Sequence, residues 1–263
     1  MLTIATWNVN SVKARLPVVA GWLDAARPDI LLLQELKGES AAFPGDAFAA
    51  LGYQGAVVGQ KAYNGVALLA RRGLALTDVI TALPGDPEDL QARYVEATVA
   101  GLRLASLYLP NGNPVASEKY PYKLRWLARL RDHGARLLAA GGPVVLGGDF
   151  NIIPGPEDVY APAEWADDAL FRPDSRRAFR ALLHLGFTDA FRALHPAEPR
   201  AWTFWDYQAG RWPRDQGLRI DHFLLSAEAA DRLESCTIDR APRGLEKASD
   251  HTPVVLTLRS SGR

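Results

Sequence analysis

Short apolar runs alternate with amphipathic helices along this 263-residue chain, and some of the runs pair as hairpins. Hairpins interleaved with helices suit an α/β protein of two packed, mixed β-sheets flanked by helices better than one parallel sheet. No linker, low-complexity block or internal repeat breaks the chain, so residues 1–258 are expected to form a single domain and 259–263 a flexible tail. Finally, several apolar runs end in Asn, Asp, Glu or His, which make poor core. That places a polar site at the strand ends.

The elements follow in order. Residues 2–7 read as a strand, 16–26 as a helix, and 30–33 as a strand apolar on both faces. Residues 66–70, 94–99 and 102–109 read as strands, and Ala100-Gly101 joins the last two as a hairpin. The longest helix is expected over 117–140. Leu124, Leu127, Leu130, Leu137 and Leu138 supply its apolar face, with Ser117 placed to cap it and Gly141-Gly142 to end it. A buried strand over 144–146 follows. A helix over 176–185 closes on Gly186, and strands over 218–225 and 253–258 complete the sheets.

Composition narrows the class. Hydrophobic residues make up 48% of the chain, enough for a large core. The single cysteine, Cys236, excludes an internal disulfide and suits a reducing compartment. The first residues show neither a signal-peptide pattern nor a membrane-length apolar run, so a cytoplasmic protein without membrane partners is expected. Net charge is zero, with 30 basic and 30 acidic residues, which argues against a nonspecific polyanion binder. The signs are nevertheless uneven. Lys119, Lys123, Arg125, Arg129, Arg131 and Arg136 share one helix, and Arg172, Arg176, Arg177 and Arg180 another. Acids gather at Asp86-Glu88-Asp89 and from Glu157 to Asp168. Such a dipolar chain can bind nucleic acid on a basic face, although each run also reads as a solvated helix face.

Gly147-Gly148-Asp149-Phe150-Asn151 is the most informative segment. Its glycines let the backbone turn as it leaves a buried strand, so Asp149 and Asn151 emerge at the strand mouth. Similar polar tips occur at Asn8, at Glu35, at Tyr108, at Asp221-His222 and at Ser249-Asp250-His251. If these strands lie side by side, the tips converge where open α/β sheets carry their sites. Asn8, Glu35, Asp149, Asn151 and Asp250 are hard oxygen donors, and no Cys/His zinc pattern accompanies them. They suit Mg²⁺, with Mn²⁺ as a substitute. His251 is placed to donate to a phosphate oxygen, Asp221 to orient its ring, and Tyr108 to donate to an oxyanion. The combination points to metal-assisted hydrolysis of a phosphate ester. Taken singly, each piece has a structural reading: Asn8 and Asn10 as helix caps, Glu35 with Lys37 as a surface ion pair, Tyr108 as a packed aromatic, His251 as a loop histidine. Their joint occurrence at strand ends decides for a site.

At these residues the sequence closely resembles the exonuclease III family of apurinic/apyrimidinic endonucleases, within the endonuclease/exonuclease/phosphatase superfamily. The matching segments run in order as Trp7-Asn8-Val9-Asn10, Gln34-Glu35-Leu36-Lys37, Gln91-Ala92-Arg93-Tyr94, Tyr108-Leu109-Pro110-Asn111-Gly112, Gly148-Asp149-Phe150-Asn151, Arg219-Ile220-Asp221-His222 and Ser249-Asp250-His251-Thr252-Pro253-Val254. They span almost the whole chain. Gly-Asp-Phe-Asn and Ser-Asp-His are shared across the superfamily, whereas Tyr-x-Pro-Asn-Gly and the 119–126 and 205–221 stretches look specific to DNA repair.

The resemblance implies a four-layer α/β sandwich and Mg²⁺-dependent incision 5′ to abasic sites. It also implies 3′-phosphodiesterase and 3′-phosphatase activity, and 3′–5′ exonuclease activity on duplex DNA. By that likeness Glu35 is the main metal ligand, with Asn8 and Asp250. The wider candidate set adds Asp149, Asn151 and His251. Asp149 would orient or deprotonate water, Asn151 would orient Asp149, and His251, held by Asp221, would bind the phosphate with help from Tyr108. Which of Asp149, His251 and Tyr108 is the base stays open. Leu36 replaces a Thr common in the family, and Leu218 stands where vertebrate relatives carry a Trp, which implies looser lesion selectivity. Candidate DNA contacts are Lys37, Arg93, Asn111, Asn113, Lys119, Tyr122 and Lys123. Trp202, Phe204, Trp205 and Trp212 are candidate walls for a flipped sugar, with Trp205 foremost, or in part ordinary core. The expected partner is duplex DNA with abasic or 3′-blocked sites, acted on by a monomer in the cytoplasm (at the nucleoid in a bacterium). Two alternatives remain: a superfamily phosphatase or phosphodiesterase acting on lipid, inositol or nucleotide phosphates, and a DNA-binding scaffold with a dead site.

Overall fold

The run Ile30–Gln34 has no exposed residue because it lies mid-sheet with both faces covered. The computed structural model describes residues 1–260. Along the chain the elements are β1 (Leu2–Asn8), α1 (Val12–Ala26), β2 (Ile30–Gln34), α2 (Gly45–Ala50), β3 (Tyr53–Val58), β4 (Val66–Arg71), β5 (Leu76–Ile80), β6 (Tyr94–Val99), β7 (Leu102–Tyr108), α3 (Lys119–Ala140), β8 (Val144–Asp149), α4 (Pro173–Leu185), β9 (Thr188–Asp189), α5 (Ala190–Leu194), β10 (Asp221–Leu225), α6 (Ala227–Ala230), β11 (Leu233–Ile238) and β12 (Val254–Leu258).

The strands form two six-stranded mixed sheets, ordered β11-β12-β1-β2-β4-β3 and β5-β6-β7-β8-β10-β9. Between them lies an apolar core that includes Ile4, Leu32, Leu68, Leu104, Val145 and Phe223. Trp22 and Leu23 of α1 and Phe48 of α2 cover the outer face of the first sheet. Trp126 and Leu130 of α3 and Phe179 and Leu182 of α4 cover the second. The result is the expected four layers.

Each sheet has one parallel pair at its centre, β1 with β2 and β7 with β8. Their registers set Asn8 opposite Gln34 and Tyr108 opposite Asp149, so four strands release their polar tips at one end. Antiparallel β10 begins at that same end, with Asp221 opposite Asp149. The glycines of β8 answer to close approach. A Cβ on Gly148 would stand 2.0 Å from the Leu107 carbonyl oxygen, and one on Gly147 would meet Leu32 and Phe223 at 2.6 Å.

Some boundaries differ from expectation. The long helix starts at Lys119, and Ser117 does not cap it in the usual way. The Ser117 hydroxyl donates to the Pro114 carbonyl at 2.7 Å and receives the Lys119 N–H at 3.3 Å. The late strand begins at Asp221, since Leu218 makes only single bridges to Val159 and Phe204. Strands β3, β5, β9 and β11, which the apolar pattern does not predict, are the four sheet edges. The expected tail over 259–263 lies partly outside the described residues. Within them, the Arg259 N–H bonds the Arg232 carbonyl at 2.7 Å and the Met1 ammonium donates to the Ser260 hydroxyl at 2.8 Å. Among the described residues no helix is long and apolar enough to cross a membrane.

Candidate active site

The strand tips meet in a pit. Asn10, Glu35, Lys37 and Asn151 all take left-handed φ values, between 43° and 53°, which turn the chain sharply as it leaves the strands. The Asn8 amide donates to Glu35 Oε1 and to Asp149 Oδ2, both at 2.9 Å. The Tyr108 hydroxyl donates to Glu35 Oε1 at 2.9 Å, and Lys37 pairs with Glu35 Oε2 at 2.9 Å. The Asn151 N–H donates to Asp149 Oδ1 at 2.8 Å, while its side-chain amide donates to the Leu109 carbonyl at 2.9 Å and to Asp149 Oδ2 at 3.3 Å. His251 Nδ1 lies 2.8 Å from Asp221 Oδ2, and its Nε2 lies 3.8 Å from Asp149 Oδ2.

Glu35, Asp149 and His251 each offer a ligand atom, all within 4.8 Å of one another. A compact set of two carboxylates and an imidazole, steadied by neutral amides, fits a divalent cation. Asp250 joins at one remove. It accepts from the Asn10 amide at 3.0 Å, and the Asn10 side-chain oxygen receives Lys37 Nζ. The amide oxygens of Asn8 and Asn151 accept from the Asn10 N–H at 3.0 Å and the Asn111 amide at 3.1 Å. Both asparagines direct their amide nitrogens at the pit's carboxylates, and each amide oxygen keeps a second lone pair.

Burial and neighbours set the protonation states. Burial alone would pull the His251 imidazole down, but the Asp221 and Asp149 carboxylates push it up to about 10. Burial pushes Asp149 up to about 7, against the pull of the His251 cation. Burial also raises Glu35, but the Asn8 hydrogen bond and the Lys37 cation outweigh it and hold this carboxyl below the usual range. Burial, and then the Glu35 and Asp149 charges, hold the Tyr108 phenol well above its ordinary value. At neutral pH, therefore, His251 is a cationic donor, Tyr108 a neutral donor, and Asp149 the carboxylate of the pit poised to exchange a proton.

The expected DNA contacts divide. Lys119, Asn111 and Lys37 are exposed, and Arg93 is half-buried with its guanidinium 4.9 Å from the Tyr108 ring centre. Lys123 corrects the expectation. It is 0% exposed and donates to the Asn111 and Asn151 carbonyls at 3.0 and 2.6 Å, so it props the site loops from beneath. Burial pulls its pKa down to about 7. Trp205 is a second correction. It is 0% exposed, with its indole N–H on Asp215 at 3.3 Å and its ring edge-on to Trp212. Half-exposed Phe204 stands at the pit instead, its ring 4.9 Å from that of His251. The Tyr122 hydroxyl is engaged by Asp89, and the Asn113 amide by Asp168.

Sequence reasoning missed the supports. The Ser249 hydroxyl donates to the Asn8 carbonyl at 2.7 Å and receives the His251 N–H at 3.2 Å, and the Trp7 indole holds the His251 carbonyl at 3.2 Å. These bonds tie the last loop to β1 across the whole length of the chain. Ser249 and Trp7 stood inside the quoted motifs, but no local signal revealed their partners.

Two packed sheets that deliver an acidic pit and a carboxylate-held imidazolium to one shared edge define a metal-assisted phosphoester hydrolase. The chain belongs to the Endonuclease/Exonuclease/phosphatase family, which it matches over residues 5–251. It is 31% identical to exodeoxyribonuclease III of Haemophilus influenzae over 260 residues, 95% of this chain and 97% of that protein. Among solved structures it superposes on an AP endonuclease from Archaeoglobus fulgidus with a TM-score of 0.93 at 40% identity, covering 98% of this chain and 99% of that one. It also superposes on a 3′ phosphatase from Neisseria bound to a product DNA hairpin, with a TM-score of 0.95, 40% identity and the same coverage.

Proposed function

We propose that this protein is a Mg²⁺-dependent DNA repair nuclease. It cuts the phosphodiester 5′ to an abasic site and removes phosphate and phosphodiester blocks from 3′ ends of duplex DNA. The observation that carries this reading is the Asp221–His251–Asp149 arrangement facing Glu35 beside an apolar patch. Phe204, partly exposed and with its ring 4.9 Å from that of His251, offers a surface for a sugar that has lost its base.

Glu35 and Asp149 would hold the cation, with Asp250 reached through Asn10, which leaves the protonated His251 for the phosphate. When bound, the ion polarises the phosphoryl oxygen. The chain's own groups do the rest. His251 stays protonated against Asp221 and points Nε2 at a phosphate oxygen, where it neutralises charge as it builds up. Tyr108, too weak an acid to ionise, would donate a second hydrogen bond by turning its one O–H from Glu35 to the phosphate. Asp149, fixed at one oxygen by the Asn151 N–H, takes the proton from the attacking water. Exposed Lys119 and Lys37 and half-buried Arg93 would contact the DNA backbone.

A duplex with one abasic analogue, offered with Mg²⁺ or with EDTA beside a panel of small phosphoesters, tests the reading. Mg²⁺-dependent nicking on the 5′ side is the expected result. Turnover of small esters alone would move the substrate elsewhere in the superfamily, and tight binding without cutting would make the chain a scaffold.

A further inference from the structure

His222 is the next residue after Asp221, the carboxylate that holds His251, and is 1% exposed with its ring turned to Arg219 and Ile152. Its two ring nitrogens have partners of fixed character. Nδ1 lies 3.0 Å from Nη1 of Arg219, and a guanidinium can only donate. Nε2 lies 3.0 Å from the Ile152 carbonyl oxygen, which can only accept. One form alone satisfies both: a neutral ring, bare at Nδ1 and protonated at Nε2. Burial, and then the Arg219 cation, push the ring down to about 4, so neutrality holds at physiological pH.

Arg219 is itself immobilised. It donates to Asp158 Oδ1 at 2.6 Å, to Asp158 Oδ2 at 3.2 Å and to Asp189 Oδ2 at 2.9 Å. Arg192 grips the same Asp158 at 2.6 Å. The chain of bonds therefore runs from a clamped guanidinium through one imidazole to the 152–153 peptide, one residue past Asn151. That peptide matters because Asn151 is left-handed, with φ 46°, and its N–H and side chain orient Asp149. Lys123 holds the Asn151 carbonyl from one side, and His222 holds the Ile152 carbonyl from the other.

We propose that Arg219 and His222 form a positioning relay that fixes the 152–153 peptide and, through the adjoining Asn151, the aim of the Asp149 carboxylate. The relay rests on the role given to Asp149 above. Neither residue touches substrate. Arg219 locks the tautomer and His222 delivers one directed hydrogen bond, as outer partners of a site commonly do.

The test uses the intact protein. His222→Phe keeps the ring packing on Phe150 and Phe179 but removes the N–H, whereas His222→Gln can present an amide N–H at the same place. His222→Phe should lower kcat by about 10- to 100-fold with KM changed less than about three-fold, and His222→Gln should recover most of it. In an Asp149→Asn background, His222→Phe should add no further loss. Equal loss in both substitutions, or a full additional loss in the Asp149→Asn background, would overturn the relay. Nitrogen NMR of labelled histidine in the unmutated protein should show His222 protonated only at Nε2. A proton at Nδ1 would refute the relay whatever the enzyme cuts. Failure of the unmutated protein to cut abasic DNA would count against the substrate reading instead.

Discussion

Two histidines at strand β10 are both buried, yet one is charged and the other neutral. His251 faces the carboxylates of Asp221 and Asp149 and is pushed up to about 10. His222 faces Arg219 and is pushed down to about 4. Burial opposes the charged form equally in kind at both places, so the sign of the neighbour decides. The imidazolium belongs where a dianionic or developing phosphate charge must be met. The neutral ring belongs where a single direction of hydrogen bonding must be kept. One short strand thus meets both a group that works by charge and a group that works by shape.

The strongest way to break this comparison is to remove the charged side. Asp149→Asn and His251→Ala should each lower kcat by about 10³-fold or more while the far-UV circular dichroism stays native, as single-turnover assays would show. Near-normal turnover in either would mean that another group does the chemistry. The neutral side breaks through stability. Arg219→Leu leaves Asp189 without its cation partner and halves the pairing of Asp158. Urea unfolding should report a loss of about 3–5 kcal/mol, and an unchanged midpoint would show the network to be dispensable.

Acid–base linkage sharpens the contrast. His251 binds its proton more tightly when folded, so its contribution is complete below pH 6.5 and is lost as pH rises toward about 10. His222 binds its proton less tightly when folded, so its contribution is present above pH 6.5 and is lost as pH falls toward about 4. His251→Ala should therefore flatten the alkaline limb of the stability–pH curve, and His222→Phe the acid limb. Each change is at most about 1.4 kcal/mol per pH unit. If one substitution flattened both limbs, the two sites would not be independent. The smallest effect is expected outside the pit. Lys119→Ala should weaken abasic-duplex binding a few-fold and reduce the salt slope of binding by about one, with kcat unchanged.

The pit was largely legible in the sequence because each tip directly follows an apolar run, and runs covered on both faces lie near the middle of a sheet. Edge strands were not. The pattern of β5 is exposed at Thr77, Asp78 and Val79, which leaves no periodicity to read. Lys123 was misplaced although a signal existed. Tyr120, Lys123, Leu127, Leu130 and Gly134 share one helical stripe, and that stripe is the buried one. The sequence offers Trp205 as a wall for the sugar, but Trp212, seven residues on, and Arg240 from a separate loop cover it. The relay was out of reach for the same reason, since Arg219 and Asp158 meet only through tertiary folding.

The tight passage of β8 has a further consequence for how this enzyme can change. Gly147 and Gly148 have no side-chain atoms to offer a ligand, yet any methyl added at Gly148 strikes backbone rather than a movable side chain. Loss of function at these two positions would thus imitate an active-site lesion in any survey that scores only survival. Drift toward new substrates has to proceed through the surrounding loops, because the floor that carries Asp149 has no slack.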